Sequence, residues 1–201
     1  SGGEDTYVYL GNGSSWLATP AIASSTNFAL NAWNHISLVR DGATITLYHN
    51  GVSVSTTSVI PSGFTGGGKI GEIVQGGEPV KGFISNWRMV NGSAIVPPVG
   101  GPLTPLTTVT NTSLFTFVHN GPTNNKGIRD DGPLQLPITN SNVHQTSISG
   151  TQVNGWSMYF ASHYLISSAP ATITTGEFSI EFWINPDSFS GSPMIIGNSN
   201  W

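Results

Sequence analysis

Residues 33–54, WNHISLVRDGATITLYHNGVSV, constrain the fold of this chain more than any other stretch. The string reads as three short strands joined by two tight turns, Asp41-Gly42 and Asn50-Gly51. Both pairs suit two-residue hairpins, because the central positions of a type I′ turn need positive φ. Between the turns, Thr44, Thr46 and Tyr48 alternate with Ile45, Leu47 and His49. In the strand before them, Ile36 and Leu38 share one face, while His35, Ser37 and Val39 share the other. A period of two gives a strand two unlike faces, one of which must be buried. A three-stranded antiparallel meander is therefore expected, to be covered by further strands of its own chain or of a neighbouring copy.

The rest of the sequence supplies similar pieces. Residues 6–10 and 15–19 read as strands, the second stopped by Pro20. Further strands are expected at 69–74, 80–90, 113–119, 156–166 (a pair, or one long bent strand) and 178–184, the last stopped by Asn185-Pro186. In 80–90 the alternation puts Phe83, Ser85, Trp87 and Met89 on one face and Ile84, Asn86, Arg88 and Val90 on the other. The stretch 96–110 carries Pro97, Pro98, Pro102 and Pro105, so it reads as an extended connector over the surface. No helical period exceeds a turn. Many short strands with regular turns predict an all-β antiparallel sandwich, or jelly roll.

Charge narrows the function. Only 8% of the 201 residues are charged, against about 25% in typical soluble domains. The six basic residues are dispersed, so nucleic acid is not an expected partner. No apolar run approaches the length of a membrane-spanning helix. The absence of cysteine removes disulfides and thiolate metal sites. A surface rich in Ser, Thr and Asn suits an extracellular or virion setting. With no initiator Met and no leader at Ser1, the chain is expected to be a processed product or part of something longer.

The strings WNHISLVRDG, TLYHNG and GFISNWRMVNG resemble the second half of a laminin-G-like domain, which has the concanavalin A-like lectin fold. GEFSIEFWINP resembles the first half of the same domain. Such strings recur in large repetitive fibre proteins of bacteria and phages. The resemblance implies two packed antiparallel sheets. The chain departs from it in carrying the two halves of the domain in swapped order, as one period of a tandem array, a protomer whose neighbour supplies the missing half, or a circular permutant that closes on itself. On that basis 1–96 is a second half, 97–112 the Pro-rich connector, 113–154 a strand plus loop segment, and 155–201 a first half, belonging to its own or a neighbouring copy. The expected function is a non-enzymatic structural module of an extracellular or virion fibre or filament, its sandwich completed head to tail by a neighbouring copy of itself or a tandem repeat. The alternative is a lectin-like adhesion or receptor-binding module. The residues expected to carry assembly are Phe178, Ile180, Phe182, Trp183, Met194, Ile195 and Ile196.

Chemistry is thinly represented. Glu177 and Glu181 sit four residues apart, about 13 Å along a strand. Glycosidase carboxyl pairs stand about 5–5.5 Å or 6.5–9.5 Å apart. The chain therefore reads as non-enzymatic, with Glu181 meeting a cross-strand partner and Glu177 at the strand entrance. The resemblance implies a rim calcium ion, for which Asp130 and Asp131, with Glu4 and Asp5, are loop acids of suitable hardness. No ligand spacing supports that site, and Asp131-Gly132-Pro133 is ordinary turn chemistry. The five histidines are scattered, although His35 and His49, on adjacent strands, are expected to pair at the surface. For glycan binding, Trp16, Trp156 and Trp201 adjoin Gly- or Ser-rich turns and are candidate sugar platforms, whereas Trp33, Trp87 and Trp183 are expected in the core. Asn12, Asn91 and Asn111 head N-x-[ST] triplets and are candidate glycosylation sites.

Overall fold

A computed structural model describes residues 6–11, 16–24, 28–58, 68–71, 80–117, 126–146, 156–161, 163–167, 176–188 and 196–198. Among them there is no helix. Fourteen strands form three antiparallel sheets.

The largest sheet is built on the meander. Strands β3 (Asn34–Asp41), β4 (Thr44–His49) and β5 (Val52–Thr57) pair in sequence order. The second turn is as expected, with Asn50 and Gly51 at φ 49° and 73° between paired His49 and Val52. The first is displaced by one residue. Asp41 pairs with Thr44, so the loop is Gly42-Ala43, with positive φ at Gly42 alone. That is the pattern of a II′ turn, which needs a glycine only at its first central position.

The other neighbour of β3 comes from the far end of the sequence. Strand β13 (Phe178–Ser188) lies between β3 and β7 (Lys81–Asn91) and pairs with both. The opposite edge of β7 is shared. β11 (Ser157–Ala161) takes its first residues and β8 (Thr112–Thr116) its last, and β10 (His144–Thr146) continues beyond β11. A four-stranded sheet runs β14 (Ile196–Asn198), β6 (Gly68–Ile70), β12 (Leu165–Ser167) and β9 (Ile138–Asn140). The third sheet is the pair β1 (Thr6–Gly11) and β2 (Trp16–Ser24), and β2 lies alongside β5.

Ile22 of β2, Ile70 of β6 and Leu165 of β12 join one buried apolar cluster with Ile36, Ile45, Leu47, Ile84, Trp87, Met89, Phe178, Ile180, Phe182 and Ile184 of the large sheet. The three sheets thus share a core. At its centre Trp87 stacks on Phe182, with ring centroids 4.5 Å apart and planes at 17°. Aromatic stacking of this kind adds about 0.5–1.5 kcal/mol to the burial itself.

Several boundaries differ from expectation, each for a local reason. β2 continues through Pro20, and β13 through Pro186. Pro20 lies where the β1–β2 register shifts between the pairs Val8–Ile22 and Leu10–Ala18, so no ladder bond is asked of it there. Pro186 lies past the end of β3, whose last partner is Ile184. The stretch 156–166 becomes two strands of different sheets, β11 and β12.

The alternation of β7 also breaks. Asn86 has φ 50°, and between the pairs Arg88–Glu181 and Ser85–Trp183 two residues of β7, Asn86 and Trp87, stand opposite one of β13, Phe182. This bulge changes the phase of the strand. Ile84, Trp87 and Met89 face the core, while Phe83, Ser85, Arg88 and Val90 lie on the other face.

The Pro-rich segment is extended, as expected, and it lies on the outer face of its own chain's large sheet. Ser179 Oγ donates to the Ser93 carbonyl (2.9 Å) and accepts from the Ile95 amide (2.6 Å). The Leu106 amide donates to Asn86 Oδ1 (3.1 Å), and the Gly100 amide to the Asn50 carbonyl (2.8 Å). The fit is close. A Cβ on Gly51 would stand 1.8 Å from the Pro98 carbonyl oxygen, and one on Gly101 2.8 Å from His35 Cβ. Residues 93–109 therefore act as a strap across β3, β13 and β7.

Candidate functional site

Beneath the strap the outer face of the large sheet carries polar residues in register. His35 faces Trp183, which faces Ser85, and Ser37 faces Glu181, which faces Arg88. Every one of these six is buried, with Glu181 2% and His35 0% exposed. Arg88 Nε donates to Glu181 Oε1 (2.9 Å), and Nη2 donates to the same oxygen. Arg88 Nη1 donates to the Thr107 carbonyl of the strap (2.6 Å). His35 Nε2 approaches Glu181 Oε2 to 3.6 Å, a close approach rather than a hydrogen bond. Burial pushes the Glu181 carboxyl up. The His35 ring and the Arg88 guanidinium outweigh that and hold it below the usual carboxylate range.

This arrangement stabilises charge in place. Glu181 meets a cross-strand partner, as its position in the sequence implied. It is held ionised, paired and covered, none of which suits a group that must exchange a proton with a substrate. Glu177 is exposed just before β13, and its carbonyl accepts from the Gly92 amide (2.7 Å).

The two histidines do not pair. His49 faces Ile36 across the sheet and so shares the core-side face, where its Nε2 lies 2.9 Å from Asn34 Oδ1 and its ring meets Phe28 edge-on at 5.3 Å. His35 lies on the opposite face, with its ring 5.1 Å from that of Trp183. Paired residues share a face and successive residues alternate, so His35, one residue from the Ile36 that pairs with His49, points the other way.

Of the loop acids, Glu4 and Asp5 lie outside the described residues, and Asp130 and Asp131 are engaged within the fold. Asp130 is 5% exposed. Its Oδ1 accepts from the Phe115 and Gly132 amides and its Oδ2 from the Leu136 amide, each at 2.8 Å. Asp131 Oδ1 accepts from Arg129 Nε at 2.9 Å. Asp130 thus fastens the loop 130–136 to β8. No group of three or more His, Cys, Asp or Glu among the described residues is placed to hold a metal ion. The variant Asp130→Ala leaves three buried amides without an acceptor, and at about 1–3 kcal/mol for a buried unsatisfied group it is expected to lose at least 2 kcal/mol in urea unfolding. Asp130→Asn, which keeps an oxygen acceptor, is expected to recover part of this.

The remaining candidates are dispersed. Trp156 is half-buried beside β11, and its carbonyl accepts from Ser85 Oγ (2.7 Å). Trp16 lies in β2, and Trp201 is outside the described residues. Trp87 is in the core, Trp33 is half-buried, and Trp183 is buried against His35 and Gly101 on the outer face. Asn91 ends β7 and Asn111, exposed at φ 67°, begins the turn into β8, while Asn12 lies outside the described residues. Of the assembly residues, Phe178, Ile180 and Phe182 fill the core and Trp183 lies on the outer face. Ile196 pairs with Ile70, and Met194 and Ile195 lie outside the described residues.

Sequence reasoning missed Arg88 as the partner of Glu181 and missed a row of aromatic side chains on the outer face: His144, Tyr159 and Phe83. The available signal for Arg88 was only that it is one of six basic residues in the chain and stands within a strand. For the aromatic row it was the alternation of Ser157–Ala161, which sets Tyr159 opposite Met158 and Phe160.

Fold and site together define an all-β antiparallel sandwich whose outer face holds a locked ion pair under a strap. Residues 1–94 match the family model of the concanavalin A-like lectin/glucanases superfamily, of laminin-G-like type. No curated protein and no solved structure matches the chain.

Proposed function

We propose that this chain is a non-enzymatic structural module of an extracellular or virion fibre, whose copies join head to tail. The observation that carries this reading is the origin of β13. The strand in the middle of the large sheet, between β3 and β7, comes from residues 178–188, beyond the segment 1–94 that matches the family. Another copy can supply such a strand as well as its own chain can. Exchange keeps every ladder bond and core contact and changes only the chain that contributes them. A head-to-tail exchange does not close, so it propagates into a fibre. Support for a non-enzymatic role comes from Glu181, the acid with most resemblance to a catalytic group, which is spent on Arg88.

Ownership of β13 can be read covalently. Lys81 and Ser188 pair at the end of the β7–β13 ladder, in a chain with no cysteine of its own. The double variant Lys81→Cys, Ser188→Cys is expected to give, on oxidation at rising protein concentration, a ladder of disulfide-linked oligomers on a non-reducing gel. Cross-linked monomer alone at every concentration overturns the fibre reading.

A second reading is a lectin-like adhesion or receptor-binding module. It draws on the family match and on the aromatic row, which the strap leaves half-exposed.

A further inference from the structure

We propose that Phe83, Tyr159 and His144, together with Asp187, form a binding site for a neutral oligosaccharide; this rests on the lectin-like reading. The register places the three rings in one row, His144 opposite Tyr159 and Tyr159 opposite Phe83, across β10, β11 and β7. The Tyr159 ring centroid stands 4.8 Å from that of Phe83 and 5.7 Å from that of His144. Their neighbours in sequence, Ile84, Met158 and Phe160, face the core, so the row belongs to the opposite face. All three rings are half-buried, and so is Asp187. The Tyr159 hydroxyl donates to Asp187 Oδ2 at 3.2 Å.

The chemistry selects the ligand. The rings are tilted to one another, Tyr159 at 45° to Phe83 and 60° to His144, so the row is a stepped apolar surface on which a single ring can take the C–H face of one sugar. At its end Asp187 offers carboxylate acceptors, and the Tyr159 proton is already directed at one of them, so the polar groups here favour a ligand that brings hydroxyl donors. A pyranose has both a C–H face and hydroxyls. A polyproline-type peptide also lies on aromatic rows, but its polar groups are carbonyl acceptors, which need donors from the protein. Asp187, and a formal net charge of −4 for the chain, disfavour anionic sugars.

The test is affinity electrophoresis of the intact chain through gels containing laminarin, mannan or galactomannan, with heparin as the anionic comparison. Retardation by at least one neutral polysaccharide and none by heparin is expected. Phe83→Ala and Tyr159→Ala are each expected to weaken it about tenfold, the effect of losing one aromatic contact, and Asp187→Asn less. His144→Ala, on the edge strand β10, is read in parallel because it leaves the core untouched should Tyr159→Ala unfold. Retardation by a neutral polysaccharide that survives all of these variants overturns the site and leaves the lectin-like reading standing. No retardation by any of the three neutral polysaccharides overturns both. Retention on immobilised poly-L-proline, lost in the same variants, reassigns the row to a peptide and overturns the glycan proposal.

Discussion

Arg88→Ala is expected to destabilise the fold by about 3–5 kcal/mol, because it leaves the Glu181 carboxylate buried without its partner. The strap loses the bond to the Thr107 carbonyl in the same variant. Replacing both members, Arg88→Met with Glu181→Leu, removes the charges together and is expected to cost far less than either single change. Urea unfolding of the two single variants and the double one makes the comparison, and equal losses in all three would sink the account. The pair also gives stability a pH dependence. The folded Glu181 carboxyl lies below the unfolded value, so its contribution is fully present above about pH 4.3 and is lost as pH falls toward the folded value. His49 acts earlier. Burial first, and the neighbouring His35 second, hold its ring below the ordinary imidazole range. Its folded value is depressed, so the stability it allows is present above about pH 6.5 and declines as pH falls through that region. Thermal midpoints measured from pH 8 to pH 3 are expected to fall in two stages. Substituting His49 with Asn should abolish the upper stage and leave the lower one.

Phe182→Ala is expected to cost about 3–5 kcal/mol, the range for removing a buried aromatic side chain. The ring is 3% exposed and stacks on Trp87. Truncation opens a cavity in the strand that joins the two parts of the large sheet. Phe182→Leu fills most of that space and is expected to recover about half of the loss. Chemical denaturation checks both, and a near-neutral Phe182→Ala would mean that β13 is not the centre of the core.

Some of this was legible in the sequence because it is local. The period of two in β3 and β4 fixed which side chains face inward, and Asn50-Gly51 named its own turn. The same logic failed in β7. One residue, Asn86, takes a positive φ there, and every side chain after it changes face. Hydropathy could not show this, since Trp87 and Met89 are apolar on either assignment. Proline was read as a stop twice and was tolerated twice, because Pro20 stands at a register shift and Pro186 beyond the end of β3. The ion pair was half-legible. Glu181 on an apolar strand demanded a partner, but nothing local distinguishes Arg88 from any other cation. The resting place of the strap was not legible at all. Its prolines state that it is extended, and only the packed structure states that Gly51 and Gly101 leave room for it. The aromatic row depends on the pairing of β10, β11 and β7, which no one strand encodes.

The place of β13 has a consequence for how the molecule is made. On a ribosome adding roughly 5–20 residues per second, β3 and β7 are finished while about a hundred residues still separate them from the strand that must lie between them. For roughly 5–20 s the nascent chain carries β3 and β7 each with one edge, the one that β13 will pair, still open. Production is therefore expected to depend on how fast the second half is translated and on what shields the first half in the meantime. A newly made chain that meets another during that interval has its first opportunity to trade strands.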